Sequence, residues 1–248
     1  MPTKTLLEID AATVCRGDVT VFENLNLTLK EREAVAVVGP NGAGKSTLAK
    51  LLARELYPVY RDPPSVRIRG RSRFVVADYR REVGLVADDA LRFLSQQTTV
   101  RAALGDAPRT AALLEAFDLG HLADRALGAL SSGEKRRVML ARALVSDPAI
   151  VILDEPFSQL DLAACQRFST LLRKHLLGRC ALMLITHRLS DVPPEIDRVV
   201  GLGNGGIQFD GPKAKVLTAS RLSALYGAAV HLIENDGWYV ALPQPAAT

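Results

Sequence analysis

AVAVVGPNGAGKSTLAKLL, at residues 34–52, is the segment from which the fold class of this chain can be predicted. Within it, GPNGAGKST matches the spacing G-x-x-x-x-G-K-[ST], in which glycines let several backbone N–H groups turn toward one anion. The apolar run before the loop is typical of a buried parallel strand, and the leucines after it recur at helical spacing. A strand, a glycine-rich loop and a helix in this order predict a nucleotide-binding α/β unit.

The loop also predicts how its residues contact a nucleotide. Lys45 supplies a point charge for the β- and γ-phosphates, and the hydroxyl of Ser46 is a ligand for Mg²⁺. The helix that begins near Gly44 directs its partially positive N-terminus at the same anion. We therefore expect ATP and Mg²⁺ as cofactors, with the phosphates bound along Gly39, Pro40, Asn41, Gly42, Ala43, Gly44, Lys45, Ser46 and Thr47.

The composition limits the class of protein. With 248 residues, of which 48% are apolar, the chain can bury the core of one large α/β domain. Its apolar runs are shorter than the roughly 20 residues of a membrane helix, and the N-terminal MPTKTLLEID lacks the apolar centre of a signal peptide. Cys15, Cys165 and Cys180 are scattered without metal-ligand spacing, which favours reduced packing residues. These features predict a cytoplasmic chain that contacts, at most, the inner face of the cell membrane.

The net charge of +4 comes largely from arginines that cluster between residues 61 and 81. Such a cluster can bind nucleic acid or anionic lipid. In the segment SVRIRGRSRFVV, however, Val66 and Ile68 alternate with Arg67 and Arg69, which is typical of a half-buried strand with a charged outer face. The aromatic residues follow the arginines instead of alternating with them as a stacking platform requires. We therefore do not expect nucleic acid as a partner.

The predicted elements indicate a single domain over residues 1–248. It begins with two antiparallel strands joined at Gly17. Strands that alternate with helices follow at Ala34–Val38, Val83–Val86, 150–153 and Ala181–Thr186. Hairpins are expected around Gly70, over 204–205 and over 236–237, and a helix over 213–226. With a helical insertion at about 89–140, this pattern predicts a P-loop NTPase core with an N-terminal antiparallel β subdomain and a short helical subdomain.

A second motif, AIVILDEP at residues 149–156, ends an apolar strand in two adjacent carboxylates. Side chains of adjacent strand residues point to opposite sides, so the two carboxylates can take different tasks. We expect Asp154 to hold Mg²⁺ through its water shell. Glu155 is expected to face the γ-phosphate and to act as the general base for the attacking water.

A third motif, LSSGEKRR at residues 130–137, predicts the start of a helix. Ser131 can cap this helix, and Glu134 stands at the third helical position, which is the capping-box pattern. The same helix N-terminus also suits an anion. The motif by itself leaves both interpretations open, a plain helix start and a phosphate contact.

Together these motifs resemble the ATP-binding subunit of the ABC ATPase family over nearly the whole chain. LSSGE stands where that family has its LSGGQ signature, and VILDEP corresponds to its Walker B strand. FSQLD at residues 157–161 resembles the D-loop, and His187 resembles the switch histidine after the next strand. The C-terminal part also looks like the tail of importer-type ATPases for molybdate and iron and of their soluble relatives.

The resemblance implies an active site that is shared between two chains. In that family each signature covers the ATP held by the partner's phosphate loop, so a head-to-tail homodimer forms two whole sites. It further implies that Ser131 and the Gly133 N–H contact the γ-phosphate in trans. His187 would hydrogen-bond the γ-phosphate, and Asp161 would help to couple the two sites.

The chain departs from the family pattern at two positions of the expected site. Arg16 stands where the family has an aromatic residue that stacks on adenine, and a guanidinium plane can also stack on a base. Asp88 stands where the family has a glutamine that reaches Mg²⁺. A carboxylate there either ligates the metal or turns to solvent, and we favour the metal contact. The helical insertion is also short for a surface that docks on a membrane partner.

Three functions remain compatible with the sequence. The first is an ATP-hydrolysing subunit that energises a membrane importer, with an integral membrane permease as its separate partner. The alternative is a soluble ABC ATPase that acts as a cytosolic switch or regulator without a membrane partner. A small-molecule kinase fits poorly, because a kinase has no use for LSSGE, a D-loop and His187 in this order.

Overall fold

A computed structural model describes residues 4–87, 91 and 94–244 of the chain. The strands are β1 (Thr5–Arg16), β2 (Val19–Lys30), β3 (Ala34–Val38), β4 (Val66–Ile68), β5 (Val83–Val86), β6 (Ile150–Asp154), β7 (Ala181–Thr186), β8 (Arg198–Gly203), β9 (Gly206–Pro212), β10 (Val230–Asn235) and β11 (Trp238–Pro243). The α-helices are α1 (Lys45–Leu52), α2 (Val76–Glu82), α3 (Val100–Leu104), α4 (Thr110–Ala116), α5 (Ser132–Ala143), α6 (Leu162–His175), α7 (Lys213–Val216) and α8 (Ala219–Tyr226).

The central sheet has the strand order β5-β6-β7-β3-β8-β9. Its neighbouring strands run parallel except for β8 and β9, which form the predicted hairpin over residues 204–205. In the middle of the sheet, Ala36 of β3 lies opposite Leu184 of β7 and Val199 of β8. Because the carboxyl ends of parallel strands meet at one edge, the loops after β3, β6 and β7 lie side by side.

Both faces of the central sheet are buried. Val35 and Val37 pack in a core with α1 and the N-terminal strands, whereas Ala36 and Val38 pack in a second core with α5 and α6. Side chains that alternate between two buried faces explain why the strand AVAVV is apolar at every position. This arrangement confirms the predicted α/β class with a P-loop core.

The N-terminal strands form a separate antiparallel sheet with the order β2-β1-β4. Val14 of β1 lies opposite Phe22 of β2, and both side chains are buried. Between β5 and β6, the described chain forms the short helices α3 and α4 before α5 begins. Among the described residues, none of the helices combines the length and the apolar character that crossing a bilayer requires.

Two local predictions are wrong. Around Gly70 there is no two-stranded hairpin in the described residues: β4 pairs with β1, and beyond the turn only an isolated bridge joins Ile68 to Arg71. Pairing with β1 buries Val66 and Ile68, which a free hairpin would leave exposed. The helix expected over 213–226 is divided into α7 and α8, because the Thr218 hydroxyl accepts a hydrogen bond from the N–H of Arg221 and starts a new helix.

Helix α5 packs directly on β5 at Gly84, which allows a test of this packing. A Cβ at Gly84 would lie 2.7 Å from the carbonyl oxygen of Ala143. Gly84→Ala is therefore expected to lower the free energy of unfolding by about 1–3 kcal/mol through overpacking, measured by urea denaturation. Gly120→Ala is the matched control, because a Cβ there meets nothing within 4 Å. Equal unfolding midpoints for the two variants would contradict this account of the packing.

Candidate nucleotide-binding site

The loop between β3 and α1 is a tightly packed turn. Gly42 and Gly44 have φ angles of 83° and 92°, in the left-handed region that favours glycine. A Cβ at Gly44 would also meet the Phe22 ring at 2.7 Å, and a Cβ at Gly39 would lie 2.1 Å from the carbonyl oxygen of Leu202. The packing of β2 and β8 against the loop therefore requires the glycines that the sequence pattern supplies.

Lys45 is the first residue of α1, and its buried side chain folds back over the loop. Its ammonium donates hydrogen bonds of 3.0 Å to the carbonyl oxygens of Gly39 and of Pro40, and Nζ lies 3.7 Å from Oε1 of Glu155. Burial lowers the pKa of Lys45, while the carboxylates of Glu155 and Asp154 act in the opposite direction. A cation held by these oxygens can exchange them for the oxygens of a phosphate.

Glu155 and His187 follow the carboxyl ends of β6 and β7 and contact each other. Nδ1 of His187 lies 2.7 Å from Oε2 of Glu155. The strand β6 ends at Asp154, because Glu155 has a φ angle of 50°, which is outside the range of a β-strand. The side chain of Glu155 therefore does not follow the alternation of the strand. The two carboxylates therefore separate because the strand ends between them, and not through the alternation along a strand that the sequence predicted. This backbone lets Glu155 reach both Lys45 and His187.

One cavity of about 490 Å³ brings together the phosphate loop, Glu155 and His187. Arg16, the predicted substitute for the adenine-stacking residue, lines the same cavity from the exposed end of β1. Val21 and Ser158 line it as well and were missed from the sequence. Ser158 belongs to the segment FSQLD, whose resemblance to the D-loop could have predicted it as a site residue. No sequence pattern indicates Val21. A cavity of this size suits a nucleotide.

A smaller hollow beside this cavity fits a hard cation. Ser46, Asp154 and Glu155 line it and present one hydroxyl and two carboxylates, and Lys50 lines it as well. Oxygen donors of this kind, with one or two carboxylates completed by substrate phosphates, suit Mg²⁺. Asp88, the further ligand that the sequence predicted, lies outside the described residues.

The segment that resembles the signature is a capped helix start. Oγ of Ser131 accepts a hydrogen bond from the N–H of Glu134 at 3.3 Å, and Oε2 of Glu134 accepts one from the N–H of Ser131 at 2.7 Å. The predicted capping box is thus confirmed. Ser131 and Gly133 line a different cavity from the one at the phosphate loop, together with Arg137 and Arg167. The fold of one chain does not bring these two residues to its own phosphate loop.

Asp161 also begins a helix. Its Oδ1 accepts a hydrogen bond of 2.7 Å from the N–H of Ala164 at the start of α6. The next residue, Leu162, is 88% exposed. Within one chain Asp161 is therefore a helix cap beside an exposed apolar side chain, and it does not line the cavity of Glu155.

A polar network that no sequence motif predicted surrounds the loop after β7. The buried carboxylate of Asp191 accepts a hydrogen bond from Thr186 at 2.6 Å and pairs with Arg188 at 3.0 Å. Arg188 also donates to the carbonyl oxygen of Phe157 at 3.5 Å. The spacing of Arg188 and Asp191, three residues apart, was the only sequence signal. The network connects the loop that carries His187 to the segment that carries Asp161.

The arginines between residues 61 and 81 are partly neutralised by acidic side chains. Arg61 lies 3.3 Å from Oδ2 of Asp10, and Arg67 lies 3.2 Å from Oε2 of Glu8. Arg69 likewise lies 3.3 Å from Oε2 of Glu82, so three arginines of this segment are paired with carboxylates.

Comparison with known proteins identifies one family. The family model described as ABC transporter matches residues 22–158. An Fe(3+) ions import ATP-binding protein of Streptomyces coelicolor is 36% identical over 224 residues, which cover 86% of this chain and 63% of that protein. A molybdenum import ATP-binding protein of Mycobacterium tuberculosis is 36% identical over 84% of this chain and 60% of its own length. The chain thus spans less than two thirds of these two relatives.

Other relatives match over more of their length. A zinc import ATP-binding protein of Alkalilimnicola ehrlichii is 33% identical, with 90% of this chain and 84% of that protein covered. The solved structure of CbiO1 from Clostridium perfringens, described as part of the ABC transporter complex CbiONQ, matches with a TM-score of 0.74 at 25% identity. That match covers 89% of this chain and 94% of the other.

The capping box predicts a pH-dependent contribution to stability. Hydrogen bonds from the N–H and the hydroxyl of Ser131 hold the pKa of Glu134 below its usual value. Because the folded-state pKa is the lower one, this contribution is present above the unfolded pKa and is lost as the pH falls through the folded pKa. Glu134→Gln keeps an acceptor but removes the titration.

The difference in unfolding free energy between the original protein and Glu134→Gln should therefore shrink from about pH 6 to about pH 3, measured by denaturant titration. A difference that stays constant over this range would show that the Glu134 charge does not contribute to the cap.

Proposed function

This chain belongs to the ABC transporter family, and from that membership we propose that it is the ATP-binding and ATP-hydrolysing subunit of a membrane transporter. The observation that carries the proposal is the convergence of the phosphate loop, Glu155 and His187 around one cavity, while Ser131 lines another. A protein that only binds nucleotide needs no carboxylate and no imidazole beside the position that the γ-phosphate of a bound nucleotide would take.

The chain's own side chains suit an attack of water on the γ-phosphate. Glu155 is the general base that accepts the proton of the attacking water. Lys45 neutralises charge on the β- and γ-phosphates, and His187 donates a hydrogen bond to the γ-phosphate while its Nδ1 contact of 2.7 Å orients Glu155. Ser46 and, through the water shell of the ion, Asp154 would hold Mg²⁺, with Asp88 as a further ligand, and the bound ion would neutralise charge on the phosphates.

The rest of the nucleotide contacts follow from the same cavity. The backbone of the loop binds the phosphates, and the guanidinium of Arg16 stacks on the adenine. Lys45 leaves its contacts with the carbonyl oxygens of Gly39 and Pro40 as the phosphates enter. Positioning and charge stabilisation of this kind account for most of the catalysis in phosphoryl transfer.

We propose that two copies assemble head to tail, so that the Ser131 hydroxyl and the Gly133 N–H of each chain cover the ATP of the other. Their position at the N-terminus of α5, in a cavity apart from the phosphate loop, supports this assembly. Asp161, next to Leu162, couples the two sites.

The partner that receives the work of ATP hydrolysis is an integral membrane permease. The matched relatives are named for import of iron, molybdenum and zinc, which favours an importer over the soluble switch. The chain then works in the cytoplasm at the inner face of the membrane, as one domain with a helical subdomain at about 89–140. An ATPase rate raised by membranes containing the permease would support this partner, and an unaffected rate would support the soluble alternative.

Glu155→Gln tests the hydrolytic function. The variant should bind ATP normally but turn it over about 10²–10⁴ times more slowly, the usual contribution of a positioned general base. ATP binding is measured by equilibrium titration and turnover by phosphate release. Glu195→Gln is the matched control, because Glu195 pairs with Arg173 at 2.8 Å on the surface. Turnover close to that of the control would remove Glu155 from the role of base.

Complementation between two inactive chains tests the shared site. Lys45→Ala disables the phosphate loop, whereas Ser131→Asp keeps the helix cap but directs a negative charge at the partner's phosphates. Each variant alone should be inactive. Mixed in equal amounts, they should recover up to about a quarter of the original activity, because half of the dimers then contain one whole site. Mixtures as inactive as the separate chains would contradict a head-to-tail dimer.

A further inference from the structure

The loop that carries His187 is held at both ends by the C-terminal helices. At its far end, the buried ammonium of Lys213 in α7 donates hydrogen bonds of 3.2 Å to the carbonyl oxygens of Pro193 and of Pro194. At its near end, the hydroxyl of Tyr226 in α8 donates to the carbonyl oxygen of His187 at 3.3 Å. The family motifs in the sequence include neither of these two donors.

We propose that Tyr226 is a positioning residue for His187. Its hydroxyl holds the main chain of His187 so that the imidazole keeps its contact with Glu155. The side chain of His187 is 41% exposed, so packing alone does not determine where the ring points. Two polar contacts fix the orientation of the ring. Nδ1 of His187 lies 2.7 Å from Oε2 of Glu155, and the carbonyl oxygen of His187 accepts a hydrogen bond from Tyr226.

Tyr226 can serve as a fixed point because α8 is itself firmly anchored. Leu225 packs so closely on β8 that a Cβ at Gly203 would lie 2.9 Å from its Cδ1. The hydroxyl of Ser223 accepts a hydrogen bond of 3.0 Å from the N–H of Val230, which ties α8 to β10. Burial, together with the negative charge of Glu155, raises the pKa of Tyr226 to about 12. The hydroxyl therefore keeps its proton at neutral pH and remains a donor.

A displacement of the C-terminal helices would consequently move His187, at the γ-phosphate end of the nucleotide cavity, through the hydrogen bond from Tyr226. Tyr226 needs no contact with ATP for this effect, since it acts on the backbone of His187. The effect on hydrolysis rests on the proposed function, in which His187 and Glu155 act on the γ-phosphate.

Tyr226→Phe removes the hydroxyl and keeps the ring that packs on the core. Loss of one hydrogen bond of this kind should reduce kcat for ATP about fivefold to tenfold, with KM close to that of the original protein. Tyr60→Phe is the matched control, because Tyr60 is 85% exposed and belongs to the segment between α1 and β4, apart from the His187 loop. The control should leave kcat unchanged, and equal rates for the two variants would overturn the proposal.

A double-mutant cycle asks whether the effect passes through His187. In a His187→Ala background, Tyr226→Phe should cause no further loss of kcat, since the group that it positions is gone. A loss of the same size in that background would assign Tyr226 a merely structural role and would overturn the proposal.

A spectroscopic measurement separates this inference from the proposed function. The chain has four histidines, whose ring signals can be assigned by NMR. Tyr226→Phe should shift the ring signals of His187 and leave those of His121 unchanged. Shifted His187 signals in a chain without ATPase activity would reject the proposed function while supporting the positioning role. Unshifted signals would overturn the positioning role whatever the rate of hydrolysis.

Discussion

The parallel pairing of β6, β7 and β3 is the constraint on which the site depends. Asp154 lies opposite Ile185, and Val38 lies opposite Thr186, so the three strands end at nearly the same level. The residues that follow, Glu155, His187 and Gly39, are distant in sequence but neighbours in space. The register is itself strongly specified, because both faces of these strands are buried and any shift would change which side chains fill the two cores.

The charged side chains at the carboxyl edge of the central sheet are partly buried, and they pair with one another. Lys45 is only 6% exposed, and burying a charge is costly unless it is paired and hydrogen-bonded. Two carbonyl oxygens and the carboxylate of Glu155 provide those partners, and His187 completes the chain of contacts. The same preorganised charges suit a polyphosphate, because they are held in place by the fold before any ligand contacts them.

Several residues serve the fold and the proposed function together. Ser131 and Asp161 both cap helices, and these caps explain their side-chain contacts within one chain. A role toward a partner's nucleotide adds to these contacts and does not replace them. The network of Thr186, Asp191 and Arg188 has a similar double character, since it completes a buried turn and joins the His187 loop to the segment at 157–161.

Features that depend on a few neighbouring residues can be predicted from the sequence alone. The glycines of the phosphate loop, the capping box of Ser131 and Glu134 and the buried strand AVAVV are read correctly, because their conformations follow from local backbone geometry and spacing. Contacts between distant segments, in contrast, are seen only in the folded chain. The fold paired β4 with β1 in place of a hairpin at Gly70, and it brought Tyr226 to His187, although the two residues are 39 positions apart in the chain. Such contacts depend on which surfaces the whole chain buries together. A pattern within a few neighbouring residues therefore cannot predict them.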